Sequence, residues 1–364
     1  MTVSPLVAQD EPQNAPADTT EAERPGGTLV PLPAIFYQTE TGLGFGGAVT
    51  YFLPPPEDPE DGPARRDQAS QLQLLAVYTT KKQTAIQFGA ELYPSGGRFR
   101  LLGSVTFLKF PTKYWGIGND TPNAAEEDFT PLSFIIDGDF QRQISPAWYA
   151  GLLGQFVIRN LDEVEPGGLL DSGNTPGAED GRIVGLGAGV TWATRSSTIW
   201  PVRGGYHQLR ALFYDGFFGS DFDFGTISLD LRGYFTMLPG TVLALRALGV
   251  TSTSTPPFDF MPQLGGDRLV RGYFAGRFRD DNLLALQVEY RFPVWWRFGA
   301  VAFGSAGQVA PTLGTFATDA FRPAAGFGMR FLLNPERMLN IRADFAWGFH
   351  VGSTGFYLGI GEAF

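Results

Sequence analysis

The sequence predicts an all-β fold: a sixteen-stranded antiparallel transmembrane β-barrel of the outer-membrane type, with the loop between its eleventh and twelfth strands folded inward. Three observations predict it. Apolar and polar residues alternate with a period of two in run after run. The runs are about ten residues long, which crosses a bilayer at a tilt of about 45°. Aromatic residues close the apolar faces, at Tyr78, Phe110, Tyr290, Phe292, Phe345 and Trp347, as in the interfacial girdles of membrane barrels.

Composition narrows the alternatives. The 364 residues include 47 Gly, 32 Phe, 12 Tyr and 7 Trp, with only 18% charged, too aromatic for a disordered chain. No run of eighteen apolar residues exists, so a transmembrane helix is excluded. Gly or Pro interrupts most windows that could form an amphipathic helix. Cysteine is absent, which removes disulfide scaffolds, thiolate metal sites and cysteine nucleophiles. His207 and His350 are the only histidines, too few for a His-rich metal site. A net charge of −10 disfavours nucleic acid as a partner. No cofactor and no metal are expected.

Residues 1–27 read as a disordered acidic, Pro-rich tail. The charged n-region and long apolar core of a signal peptide are missing, and Ser4–Gln9 is read as the remnant of one. Size alone would suggest two domains, but the alternation makes 28–364 one barrel. The strands fall at 28–38, 43–52, 69–79, 84–93, 98–110, 132–144, 147–160, 182–194, 205–215, 222–236, 241–252, 282–292, 298–309, 321–332, 338–347 and 356–364. In 338–347, Leu339, Ile341, Ala343, Phe345 and Trp347 oppose Asn340, Arg342, Asp344, Ala346 and Gly348. Strands 226–235 and 283–292 alternate in the same way. Connections alternate between short and long, as they do in such barrels. The long ones are 111–131, 161–181 and 253–281. The link 53–68 is long on the short-turn side and breaks the rule.

Loop 253–281 carries Gly265-Gly266 and then Val270-Arg271-Gly272-Tyr273. Arg271 bears a permanent charge on a planar fork. Folded into a lumen it needs a carboxylate, because an unpaired buried charge is costly. Alternation turns Glu289 inward, and Asp344 as well, so both are candidate partners. Gly272 lets the backbone lie close to the wall, with Tyr273 packing beside it.

This loop resembles that of the BamA/TamA outer-membrane proteins, the bacterial surface antigen family. Their mark is a (V/I)RG(F/Y) tetrapeptide between the eleventh and twelfth barrel strands. Glu289-Tyr290-Arg291-Phe292-Pro293 on the following strand also fits the family. Thr194–Gly204 resembles its D-x-R…P-x-R-G turn, with Thr194 where Asp is usual. Ile341–Phe345 resembles its penultimate strand. The resemblance covers 28–364, with its specific part in 194–364. It implies that Arg271 pairs with Glu289 and with an Asp of an F-x-D-x-G pattern. Here that pattern reads Phe303-Gly304-Ser305-Ala306-Gly307, which puts Ser305 at the partner position.

The ends of the barrel carry further candidates. Pro31 and Pro33 cannot donate to a ladder, and Gly359 and Gly361 supply few side-chain contacts. Strands 28–38 and 356–364 must pair if the barrel closes, so these residues mark a weak seam. The resemblance makes that seam a lateral gate; the plainer reading is a Pro-bent strand start. Phe364 ends an alternating strand, the form in which barrel assembly machinery recognises clients.

Other readings are weaker. Gly42–Gly47 matches G-x-G-x-x-G but leads into a strand, not the helix a dinucleotide site requires. Neither histidine has a Ser/Asp constellation beside it, so the chain is not read as an enzyme. Inward carboxylates, among them Asp137, Asp139 and Asp230, are intermixed with Arg232, Arg246, Arg291, Arg330 and Arg342, a pattern that suits a structural or pore-lining network. Loop acids Glu57, Asp58, Glu60, Asp61, Glu126, Glu127 and Asp128 have no calcium-loop spacing.

The resemblance implies a multi-pass barrel of the bacterial outer membrane acting in its biogenesis. It would insert or translocate proteins or lipids through the barrel and its seam. The lipid bilayer, unfolded outer-membrane proteins or lipids as clients, and a separate periplasmic protein are the partners this implies. Only 27 residues precede the barrel, so a short member without POTRA domains is expected. The alternative is a passive channel or structural barrel without insertase activity.

Overall fold

The computed structural model describes residues 27–54, 70–94, 97–198, 200–334 and 339–364. The expected tail, except Gly27, lies outside them, as does most of the link 53–68 with Glu57, Asp58, Glu60 and Asp61. Alternating, β-branched and aromatic runs form strands in chain order: β1 (Thr28–Gln38), β2 (Gly42–Phe52), β3 (Gln71–Thr79), β4 (Thr84–Leu92), β5 (Phe99–Lys109), β6 (Thr112–Tyr114), β7 (Glu127–Ser145), β8 (Trp148–Val164), β9 (Gly181–Ala193), β10 (Gly204–Tyr214), β11 (Phe224–Thr236), β12 (Val242–Ser252), β13 (Gln263–Leu264), β14 (Phe278–Arg279), β15 (Asn282–Trp295), β16 (Phe298–Ala310), β17 (Arg322–Asn334), β18 (Leu339–Gly348) and β19 (Ser353–Ile360).

Sixteen of these are barrel strands. Each pairs antiparallel with its neighbours in sequence, and β19 returns to β1 to close the ring. The three short strands, β6, β13 and β14, belong to long loops. The G-x-G-x-x-G run lies in β2, in a sheet rather than before a helix.

Burial is inverted relative to a water-soluble core. Leu74, Phe88, Leu152, Leu186, Leu209, Leu286 and Phe327 are exposed on the outer face, while Gln141, Thr191, Arg159, Glu289 and Asp344 are buried inside. That is the arrangement a bilayer outside and a polar lumen inside demand. Trp148, Trp295 and Trp296 are exposed at the short-turn end, at the level where an aromatic belt meets the headgroups. By the usual asymmetry of such barrels the short turns face the periplasm and the long loops face outward.

The largest differences from the expected strand boundaries fall in three strands. β7 starts at Glu127 and β8 runs to Val164, because this hairpin continues past the wall into its loop with a register shift at Thr130/Pro131. The last strand is Ser353–Ile360 rather than 356–364. Gly361 takes φ +79°, a left-handed turn that Gly adopts without a Cβ penalty. The chain then leaves the sheet for the lumen, where Ala363 and Phe364 are buried.

Candidate functional site

Loop 253–281 folds into the lumen. Its β13–β14 hairpin pairs Gln263 with Arg279 and Leu264 with Phe278. Leu264, Val270, Tyr273 and Phe278 bury themselves against Leu283, Ala285, Val309 and Ala324 of the wall. This apolar packing pays for the order of a long loop and carries its tip to the wall.

At the tip Arg271 is 2% exposed. Its two terminal nitrogens donate to separate carboxylates, Nη2 to Glu289 Oε1 and Nη1 to Asp344 Oδ2. Its guanidinium lies over the Phe303 ring, 3.5 Å from the centroid. The structure therefore brings together Arg271, Glu289 and Asp344. Ser305 is not a partner: its hydroxyl is buried without a hydrogen bond among the described residues. Phe303, two residues earlier on the same inward face, supplies the contact there, and Asp344 arrives from β18 instead.

The carboxylates are shared further. Glu289 accepts from Arg291 Nε and Nη2 at 3.0 and 2.8 Å. Asp344 accepts from Arg330 Nη1 at 2.5 Å. Glu362, on the inward-turned segment, accepts from Arg330 Nε at 2.9 Å and lies 3.7 Å from Arg291. Arg271, Arg291 and Arg330 thus face Glu289, Asp344 and Glu362. Three charges of each sign balance, and Arg342, 3.4 Å from Asp344, brings its own carboxylate partner Asp267, which lets the group stay ionised away from bulk water.

The rest of the tetrapeptide is fixed by backbone contacts. Gly272 N donates to Tyr357 Oη at 3.1 Å, and Ser353 Oγ donates to Gly272 O at 2.6 Å. Gly272 has φ +109°, and a Cβ there would sit 2.7 Å from Gly348 N. Tyr273 Oη donates to Pro323 O and receives His350 N. Val270 holds φ +54°, a strained conformation for a β-branched residue, secured by complete burial.

The seam is the second part of the site. β1 and β2 pair over their whole length, but β1 and β19 share one bridge, Tyr37 with Leu358. Tyr37 and Phe356 rings add a contact at 5.6 Å, and Phe356 N donates to Thr39 Oγ1 at 3.1 Å. All three contacts lie at the long-loop end. Below them Pro31 and Pro33 pair only with Val49 and Gly47 of β2.

The prolines face the seam. Leu43 serves the β3 side, its carbonyl accepting from Thr80 N at 2.8 Å and its amide donating to Thr80 Oγ1 at 3.1 Å. Its partner Tyr37 therefore turns its own backbone away from β2, and alternation along a strand places Ile35, Pro33 and Pro31 on that same edge. On the other side Gly359 pairs with Arg342 of β18, and Gly361 starts the inward turn. Phe364 packs with Tyr234, Val242 and Ala363, and its carbonyl accepts from Arg291 at 3.0 Å. It is buried inside the barrel rather than displayed on a final strand.

Loop and seam meet at the β1–β2 turn. Glu40 is 3% exposed, and its Oε1 accepts from Ala275 N of the loop at 3.1 Å. Burial, reinforced by the charge of Asp267, pushes its carboxyl up to about 7. The turn is held from behind by Gln83 Nε2, which donates to Glu40 O at 3.2 Å.

The remaining candidates are dispersed. His207 stacks on Trp192 near the start of β10. His350, in the β18–β19 turn, lies 2.9 Å from Arg322, which with burial lowers its pKa. Glu127 is buried and accepts from Leu169 and Leu170 N, and Glu126 pairs with Lys113. Sequence reasoning turned Arg330 and Arg342 inward but missed their pairings. Phe303 was hidden by the motif, which pointed to Ser305, and Ser353 and Glu362 by an expected last strand of 356–364 where the strand is Ser353–Ile360.

The family model described as the Omp85 superfamily domain matches residues 121–364. The fold is similar to BamA from Haemophilus ducreyi lacking POTRA domains 1–3, with TM-score 0.65, 14% identity, and coverage of 93% of this chain and 70% of that one. It is also similar to CdiB from Acinetobacter baumannii, with TM-score 0.58 and 13% identity over 92% of this chain and 59% of that one. CdiB from Escherichia coli gives TM-score 0.58 and 12% identity over 94% and 64%. Among curated proteins none matches the chain.

Proposed function

The chain belongs to the Omp85 superfamily, and from that premise we propose that it inserts or translocates proteins at the bacterial outer membrane through its β1–β19 seam. The observation that carries this reading is the closure of the barrel by the single pair Tyr37–Leu358. A strand edge left without partners is a template for another strand. β1 offers such an edge over most of its length, and the inward turn of 361–364 clears space beside it. The role is mechanical rather than enzymatic: a client strand forms on β1, and the loop clamp holds the barrel wall in shape meanwhile. A periplasmic protein that delivers the unfolded client belongs to the same proposal.

The test uses vesicles containing the purified protein and a urea-unfolded client barrel, with folding followed by gel mobility. Tyr37→Cys with Leu358→Cys can lock the seam by a disulfide, and no native Cys interferes. Directly paired strand positions suit that bond. Faster client folding that the lock abolishes supports the proposal. No acceleration over empty vesicles overturns it in favour of a passive channel or structural barrel, and conductance then separates those two.

A further inference from the structure

The lumen is not uniformly balanced. Beside the neutral group around Arg271 lies a region where cations outnumber anions, although the chain as a whole carries −10. Asp230 is shared by Arg232, at 2.6 Å, and Arg246, at 2.9 Å. Asp267 is taken at 2.6 Å by Arg342, which also lies 3.4 Å from Asp344 of the neighbouring group. Among the described residues Arg268 has no carboxylate of its own. Its carbonyl is tied to the wall by Arg246 Nη1 at 3.0 Å and Gln287 Nε2 at 3.1 Å, and its exposed side chain feels Arg342, Arg232 and Arg246 against the one charge of Asp267. Arg195, from the β9–β10 turn, stacks on Tyr206 at 4.4 Å, and Arg232 lies over the same ring at 5.2 Å. Among the described residues Arg195 forms no ion pair, and the guanidiniums of Arg232 and Arg100 act on it. Five guanidiniums therefore face two carboxylates.

A second observation points at a ligand. Tyr234 is 2% exposed and turned inward on β11 between the levels of Arg232 and the short turn. Its hydroxyl has no hydrogen-bond partner among the described residues, although a buried hydroxyl without one is costly. Its neighbours include Arg195, Arg232 and Arg246, and the Arg291 guanidinium lies 6.0 Å from its ring centroid, so it sits among the cations.

We propose that the short-turn half of the lumen is a binding site for a phosphate group, held by the unpaired guanidiniums of Arg195 and Arg268 and by the Tyr234 hydroxyl. Guanidinium forks match phosphate oxygens bidentately. The excess of about three positive charges suits a dianion with several acceptor oxygens better than one carboxylate with two. Inorganic phosphate and the headgroup of an anionic phospholipid offer the same chemistry. This inference is independent of the seam and its role in insertion.

Titration calorimetry on the detergent-solubilised barrel tests it, with inorganic phosphate, a water-soluble short-chain phosphatidylglycerol and a tetraglutamate peptide as separate probes. Saturable binding of phosphate or of the phospholipid is expected, weakened at least tenfold by Arg268→Gln or Arg195→Gln and severalfold by Tyr234→Phe. Binding of both assigns the site to the phosphate group alone. Binding only of the phospholipid assigns it to a headgroup whose glycerol also makes contacts. Tyr234→Phe keeps the ring and its packing, so it remains informative if an Arg variant fails to fold. No saturable binding of either phosphate probe, binding of tetraglutamate alone, or binding indifferent to all three substitutions overturns the proposal.

Discussion

The guanidinium of Arg271 lies 3.5 Å above the Phe303 ring, so one side of the loop's charge faces aromatic carbon while its two ends face Glu289 and Asp344. A cation on a ring face gains about 2 kcal/mol when water is excluded. Breaking a buried pair by removing one partner costs about 3–5 kcal/mol, because the other charge is stranded.

Arg271→Ala should therefore free the loop by several kcal/mol, seen as rapid protease cleavage within 253–281. Phe303→Leu should cost less, about 1–2 kcal/mol. Glu289→Gln should resemble Arg271→Ala, since it also strands Arg291, which donates twice to Glu289. Unchanged cleavage in all three would show that the ion group does not hold the loop.

Gly272→Ala should be worse than its size suggests. The new Cβ meets Gly348 N at 2.7 Å in a backbone with φ +109°, so the tip must lift or β18 must yield. A loss of about 1–3 kcal/mol in unfolding stability, measured by gel mobility against urea, is expected from strain at such a residue.

The contact of Glu40 with Ala275 N should depend on pH. The folded carboxyl titrates at about 7 against an ordinary 4.5. Between those values the docked turn keeps a proton that a released turn has lost, so docking is strongest at low pH and weakens as pH rises through 7. The change is on the order of 3 kcal/mol at most. Hydrogen exchange at residues 273–276 should rise between pH 5.5 and 8.5 after correction for intrinsic rates, and Glu40→Gln should flatten that rise. A slope that survives the substitution assigns it to another group.

Phe364→Ala removes a buried ring from the cluster with Tyr234 and Val242, at about 3–5 kcal/mol if the site does not collapse. Exchange should increase at 358–364 while β4 and β5, across the barrel, stay protected. Equal protection throughout would mean that the inward segment is held by Arg291 and Glu362 alone.

The barrel was legible because its signals are local. Period-2 alternation reads directly as one face to lipid and one to lumen, and it turned Glu289, Asp344, Arg330 and Arg342 inward. Arg271 was legible from the cost of its charge, which demands acids, and alternation offered two. What failed was the chain after Ile360. Phe356, Leu358 and Ile360 alternate and Phe364 continues the rhythm, so nothing local announces that Gly361 turns the segment inside. The pull comes from Arg291 and Arg330, far away in sequence, which gain Glu362 only if the segment leaves the sheet. Ser305 shows the converse. A motif position names a place, but Phe303, a neighbour in the same pattern, makes the contact.

The two imino acids on the free edge of β1 govern what can be built on it. With no hydrogen to give at positions 31 and 33, that edge donates only at Leu29, Ile35 and Tyr37. A visiting strand meets donors at both ends and only the proline carbonyls in the middle, a looser hold suited to release. Two barrels meeting edge to edge would each present the same gap. The chain can thus keep an unfinished margin in a crowded membrane without polymerising along it.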